Sequence, residues 1–231
     1  MKKLLLLLLC VPLIGFGQTT MIPDANFEQR LISFGYDNIL DGTVLTAAID
    51  TVTSLYVSYY GISDLTGIED FTALTILNCA ANDLTSLDVS NNTALIELNC
   101  GLNQLTSLDL SNNTVLTSFW CYNNQLTNLD VRNGNNTNLT YFHTMNNPNL
   151  TCINVDNAAW STSNWTGVGY AFDNNHYFNN NCSGTGIEEH ITNKKLLKIT
   201  DILGRDINEK RNTPLFYIYN DGTVEKRMII E

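Results

Sequence analysis

The chain has 231 residues, 23 acidic against 12 basic, for a formal charge of −11, and 44% of it is hydrophobic. That length suits one globular body with accessory segments, and the acidity argues against nucleic acid and anionic membrane surfaces as partners, because like charges repel. The charge is uneven: residues 18–183 hold Arg30, Arg132 and no lysine against fifteen acidic residues, while residues 184–231 hold eight basic and eight acidic groups.

At the start, Lys2 and Lys3, an apolar run from Leu4 to Ile14 and the small-x-small Gly15-Phe16-Gly17 follow the order of a secretory signal peptide over residues 1–17. The run is too short to span a bilayer, which takes about 20 apolar residues, and no later stretch is a membrane-spanning candidate. Cys10 follows Leu9, where a lipid-attachment motif requires a small residue. Residues 18–51 predict an N-terminal cap. Within them Pro23 to Ile32 has the pattern of a short amphipathic helix, with Phe27, Leu31 and Phe34 on one face.

Residues 52–151 repeat. Leu74-x-x-Leu77-x-Cys79-x-x-Asn82-x-Leu84 recurs 21 residues later from Leu95, and again as Leu116-x-x-Phe119-x-Cys121-x-x-Asn124-x-Leu126. A preceding coil starts at Val52 and a following one at Leu139, giving about five. Second halves repeat too, as in Leu84-Thr-Ser-Leu87-Asp88-Val89 and Leu105-Thr-Ser-Leu108-Asp109-Leu110. Repeat positions 1, 4, 6 and 11 are apolar and must point inward; positions 3, 5, 7 and 8 then face solvent. Asn82, Asn103, Asn124 and Asn147 stand where the chain leaves each strand, and their amides are expected to bond the backbone of their own and the next coil. Tyr60 replaces this asparagine in the first coil.

These positions resemble the leucine-rich-repeat family, in its short bacterial, internalin-like form, to which Ile62-Ser63-Asp64-Leu65 also conforms. The resemblance implies an α/β solenoid whose parallel sheet lines a concave face. No coil buries its apolar side alone, so stacked neighbours share one core.

Five cysteines remain beyond residue 17. Cys79, Cys100 and Cys121 occupy inward position 6, as small hydrophobes side by side on adjacent coils. A reduced ladder is the expectation, and a linear metal or thiol-relay site the sharper alternative. Residues 152–183 are aromatic-rich without a period (Trp160, Trp165, Tyr170, Phe172, Tyr177, Phe178) and predict a C-terminal cap plugging the last coil. Cys152 and Cys182 bracket it, and a disulfide between them would close a loop of about 30 residues, contributing about 3 kcal/mol.

Residues 184–231 begin within the small-residue linker Ser183-Gly184-Thr185-Gly186. Leu215 to Tyr219 alternates before a turn at Asn220-Asp221-Gly222, predicting a hairpin. With Asp201-Ile202-Leu203-Gly204-Arg205, the segment resembles the C-terminal sorting domain of the type IX secretion system. That resemblance implies a Gram-negative host, contact with the type IX machinery, and a secreted or outer-surface destination.

No catalytic motif is present and no cofactor is implied. Cys121 and His143 lie on adjacent coils, but positions 6 and 5 face opposite sides of a strand, so they predict no nucleophile–base pair. The outward face is the candidate site: Tyr56, Asn78, Asn99, Trp120 and His143 at position 5, Tyr141 at position 3, and Tyr59, Leu102 and Tyr122 at the strand exits. Large, rigid aromatics dominate binding hot spots. An extracellular or surface protein is therefore the first partner, a surface glycan the second, and a passive adhesive or spacer role the alternative. Asp88, Asp109 and Asp130 also recur, with carboxylates about 5 Å apart on neighbouring coils. Their repulsion is relieved either by local hydrogen bonds or by a bound calcium ion.

Overall fold

The computed structural model describes residues 17–182, 196–200, 205, 214–219 and 224–228. The signal-peptide segment, the 183–186 linker, Asp201 to Gly204 and the 220–222 turn lie outside the described residues. The chain forms two compact units that divide between Cys182 and Ser183.

In the first unit, β1 (Thr19–Met21) is followed by helix α1 (Ala25–Phe34), β2 (Thr43–Leu45) and the single turn α2 (Thr46–Ile49). β1 and β2 pair antiparallel, which the sequence pattern had not indicated. Helix α1 begins where Asp24 accepts hydrogen bonds from Asn26 N and Phe27 N, and ends at Gly35 in the left-handed conformation (φ 81°) that glycine adopts without strain. Phe27 and Leu31 are fully buried, as expected. Phe34 is not, because the helix turns it outward beneath the Arg30 guanidinium, 4.0 Å from the ring centroid. Glu28 is buried instead: its Oε1 accepts from the backbone N–H groups of Asp41, Gly42 and Thr43 and pins that loop to the helix.

The repeat then builds two parallel sheets. One comprises β3 (Ser54–Tyr56), β4 (Ile76–Asn78), β5 (Glu97–Asn99), β7 (Ser118–Trp120), β9 (Tyr141–His143) and β11 (Tyr170–Ala171). Leu55, Leu77, Leu98, Phe119 and Phe142 align in register along it and are fully buried, the inward row the spacing predicts. The second sheet comprises β6 (Ser107–Asp109), β8 (Asn128–Asp130), β10 (Cys152–Asn154) and β12 (Tyr177–Asn179). Only one sheet was expected, although the repeated second half-coils carry the second: Leu108, Leu129 and Ile153 point inward while Asp109 and Asp130 pair on the outside.

Residues 152–182 do more than plug an end. Their strands extend both sheets, β11 on β9 and β12 on β10, with helix α3 (Ala158–Asn164) between β10 and β11. Aromatic rings replace leucines there. Trp165 is buried edge-on against Phe142 (5.0 Å) and Phe178 (5.1 Å), and Phe172 packs beside them. Cys152 and Cys182 form a disulfide across this segment, their Cα atoms 5.8 Å apart, while Cys79, Cys100 and Cys121 are free and fully buried.

The asparagine row bonds the preceding coil rather than the following one. Asn103 Oδ1 accepts from Leu84 N while its Nδ2 donates to Cys79 O and Cys100 O, and Asn124 repeats this with Leu105 N, Cys100 O and Cys121 O. The turn carrying each asparagine inward needs a left-handed residue just before it. Tyr59, Ala81, Leu102, Asn123 and Asn146 all have φ between 53° and 66°. A second buried row accompanies it: Asn92 Nδ2 donates to Ile68 O and Phe71 O, and Asn113 Nδ2 to Val89 O and Asn92 O. Its sequence signal was present in the doublets Asn91-Asn92 and Asn112-Asn113, 21 residues apart.

In the second unit, β13 (Leu196–Thr200), β14 (Pro214–Tyr219) and β15 (Val224–Met228) form an antiparallel sheet in the order β13-β14-β15. The β14–β15 pairing is the expected hairpin, from Ile218 opposite Val224 to Pro214 opposite Met228. β13 adds a strand that the alternation had not indicated.

Candidate functional site

Strand geometry decides what faces outward on the six-stranded sheet. Successive side chains alternate, so with Phe119 in the core, Ser118 and Trp120 point away from it. The candidate residues sort into two groups with an amide stretch between them.

At the β7–β9 end, the Trp120 indole stacks on the Tyr141 ring (centroids 5.8 Å, 26° between planes) and meets the His143 imidazole edge-on at 6.3 Å. Tyr122 lies over Gly101, where an added Cβ would come within 2.7–2.9 Å of its ring atoms. A side chain at 101 would have to displace that ring. Tyr122, His143, Met145, Asn146 and Ala171 line a shallow, largely apolar cavity of about 270 Å³. His143 Nε2 is buried and has no hydrogen-bond partner among the described residues, a cost a folded protein seldom leaves in place.

At the opposite end, Tyr56 and Tyr59 are exposed by 50% and 77%, more than a ring held only for packing would be. Beside them Arg30 lies over the Tyr60 ring at 4.5 Å and donates from Nε to Tyr56 O, so α1 and the first coil are clasped together. Sequence reasoning missed this clasp, because Arg30 and Tyr60 are distant in the chain. Between the two groups, Asn78 Oδ1 accepts from Ser58 Oγ and Ala80 N, and Asn99 Oδ1 from Gly101 N. Each amide therefore closes its own strand exit. Leu102 is 39% exposed, at a left-handed position.

The same local closure occupies the aspartates of the second half-coils. Asp88 accepts from Ser90 N, Asp109 from Ser111 N and Asp130 from Arg132 N. The Ser90 backbone and hydroxyl bonds hold the Asp88 carboxyl below its ordinary range. At Asp130 partial burial acts to raise the pKa, and the bonds and charge of Arg132 outweigh it, so the net shift is downward. Among the described residues no group of three or more His, Cys, Asp or Glu is placed to hold a metal ion.

Chemistry at the cysteines is opposed by burial. It pushes the Cys79 thiol up to about 12 and those of Cys100 and Cys121 well above the usual range. The thiolate is the reactive form, so these groups are packing atoms; Cys79 Sγ and Cys100 Sγ point to the carbonyls of Asn99 and Trp120. His143 lies on the other face of the sheet from Cys121. No nucleophile–base pair forms there, and no described helix is long and apolar enough to cross a membrane.

No family model matches the chain. Over 70 residues it is 39% identical to internalin J of Listeria monocytogenes serotype 4b (strain F2365), a stretch that is 30% of this chain and 8% of that protein. The chain thus spans under a tenth of the curated relative it matches. Among solved structures, a functional domain of InlJ from Listeria monocytogenes, which includes a cysteine ladder, is similar at 31% identity, covering 60% of this chain and 38% of that one, with a TM-score of 0.48. An internalin, InlF, of Listeria monocytogenes strain 4b F2365 is similar at 23% identity over 58% and 44%, also with a TM-score of 0.48.

Proposed function

We propose that residues 52–182 are a leucine-rich-repeat solenoid, capped by α1 at one end, that binds a protein ligand through the outward face of its six-stranded sheet, taken as concave. The observation that carries this reading is the aromatic array itself: Trp120, Tyr122 and Tyr141 gathered on an outward sheet face beside a cavity, where none is needed for the core. Tyr and Trp offer large contact area at low entropic cost. Tyr56, Tyr59, Asn78, Asn99, Leu102 and His143 complete the proposed surface. The likeness to internalin J supports the repeat reading over the matched stretch. A secreted or outer-surface location follows from reading residues 1–17 as a signal peptide and 184–231 as a type IX sorting domain.

The test compares full-length protein with the Trp120→Ala/Tyr122→Ala double variant for capture of purified extracellular and cell-surface proteins and on a glycan array. A protein retained by the first and lost by the second is the expected result. Retention of glycans alone would transfer the face to carbohydrate. Equal behaviour of both proteins would leave a passive spacer. For the tail, removing residues 184–231 is expected to hold the folded protein in the periplasm, and arrival at the surface without them would overturn the sorting role.

A further inference from the structure

The nature of the partner can be narrowed from the charges around the aromatic group. Among the strand residues of the six-stranded sheet, Glu97 is the single acidic one. It sits in register with Ser118, one position-pair away from Trp120. With strands about 4.8 Å apart and a rise of about 3.3 Å per residue, such diagonal neighbours stand about 8 Å apart, within reach for long side chains and rings. Tyr141, in register with Ser118 from the other side, stacks on one face of the indole. The Glu97 side chain is half-buried, and among the described residues its carboxylate has neither a hydrogen-bond nor an ion-pair partner.

The surrounding body has no spare cation to neutralise it. Residues 18–183 contain only Arg30 and Arg132 as basic groups. Arg132 is bonded to Asp130 and to Asn180 O, and Arg30 lies over the Phe34 and Tyr60 rings. An acidic face of this kind repels acidic partners and accelerates encounter with basic ones. Aromatic faces add to the preference, since their negative quadrupole attracts cations.

We infer that the protein ligand presents a basic segment, with one arginine seated between the Glu97 carboxylate and the stacked Trp120 and Tyr141 rings. Arginine fits better than lysine because its planar guanidinium can make paired bonds to a carboxylate while lying flat on a ring. The ligand's charge would then set its rate of arrival, and the aromatic group its residence. This inference rests on the protein-binding reading above.

Its test is a phage-displayed random dodecapeptide library panned on the full chain, with recovered peptides synthesised and titrated against wild type, Trp120→Ala and Glu97→Gln. Unchanged circular dichroism and melting would establish that both variants fold. The expected peptides carry arginine and lose about tenfold in affinity on Glu97→Gln, as for one charge-assisted bond. They lose a similar factor when that arginine becomes citrulline, with no further loss when both changes are combined. Peptides that need Trp120 but lack arginine and ignore Glu97→Gln would overturn the basic-ligand inference and leave the binding face standing. Peptides indifferent to both variants, or no recovered peptide at all, would overturn the two together.

Discussion

Replacing an asparagine of the buried row by alanine should cost more at the end of the row than in its middle, the reverse of what a fraying repeat would suggest. In the middle of the row each amide shares its acceptors with a neighbour. Cys79 O receives both Asn82 and Asn103, Cys100 O both Asn103 and Asn124, and Gly101 O receives Ala81 N as well as Asn103. In Asn103→Ala, therefore, only Leu84 N is left without a partner. An orphaned buried donor costs about 2 kcal/mol. Asn147 differs. Its loss orphans Leu126 N and also Thr144 O, which has no second donor among the described residues, while Cys121 O keeps Asn124. Two orphans put Asn147→Ala at about 4 kcal/mol. Both asparagines are buried and both changes remove the same atoms, so the cavity contribution largely cancels in the difference. Urea unfolding followed by tryptophan fluorescence and circular dichroism gives the two midpoints. A midpoint for Asn103→Ala equal to or lower than that for Asn147→Ala would refute the shared-acceptor account.

Four further outcomes follow from local geometry. Gly101→Ala should push the Tyr122 ring off its seat at a cost of about 1 kcal/mol, seen as lost contacts between ring and residue 101 by NMR; an unmoved ring would show that the strand shifts instead. Desolvation acts to raise the Asp24 pKa, but bonds from Ser63, Phe27 and Asp64 outweigh it, so the folded value is depressed below 3.8. The stabilisation is then present above the unfolded pKa and lost as pH falls through the folded one. Asp24→Asn should therefore flatten the fall in stability below about pH 4, and parallel pH profiles would contradict this. Native protein should leave Cys79, Cys100 and Cys121 unalkylated until denatured. Reducing Cys152–Cys182, 30 residues apart, should lower stability by about 3–4 kcal/mol. Mass spectrometry of alkylated, unreduced protein checks the thiol count, and a peptide linking two ladder cysteines would contradict it.

Much of this architecture is written in local periodicity. Inward positions 1, 4, 6 and 11 recur in the chain because a strand has only two faces, so the register of Leu77, Leu98 and Phe119 and the outward placement of Trp120 follow without knowledge of the fold. The separation of Cys152 and Cys182 from the cysteine ladder is legible for the same reason: they stand off the repeat position. What the periodicity cannot contain is contact between segments that are not repeats of one another. Burial of Glu28 depends on a loop thirteen to fifteen residues away folding back onto the helix. The Arg30 clasp depends on Tyr60, and the strands Tyr170–Ala171 and Tyr177–Asn179 depend on edges that earlier coils leave unpaired. Even the direction of the asparagine row was a tertiary matter. An amide carries donor and acceptor alike and suits either neighbour, and the left-handed residue preceding it turns each side chain back towards the coil already laid down. The aromatic site divides in the same way. Its residues come from the outward positions, but the opening beside them exists because Gly101 admits the Tyr122 ring and Ala171, from a segment with no repeat, closes the far wall.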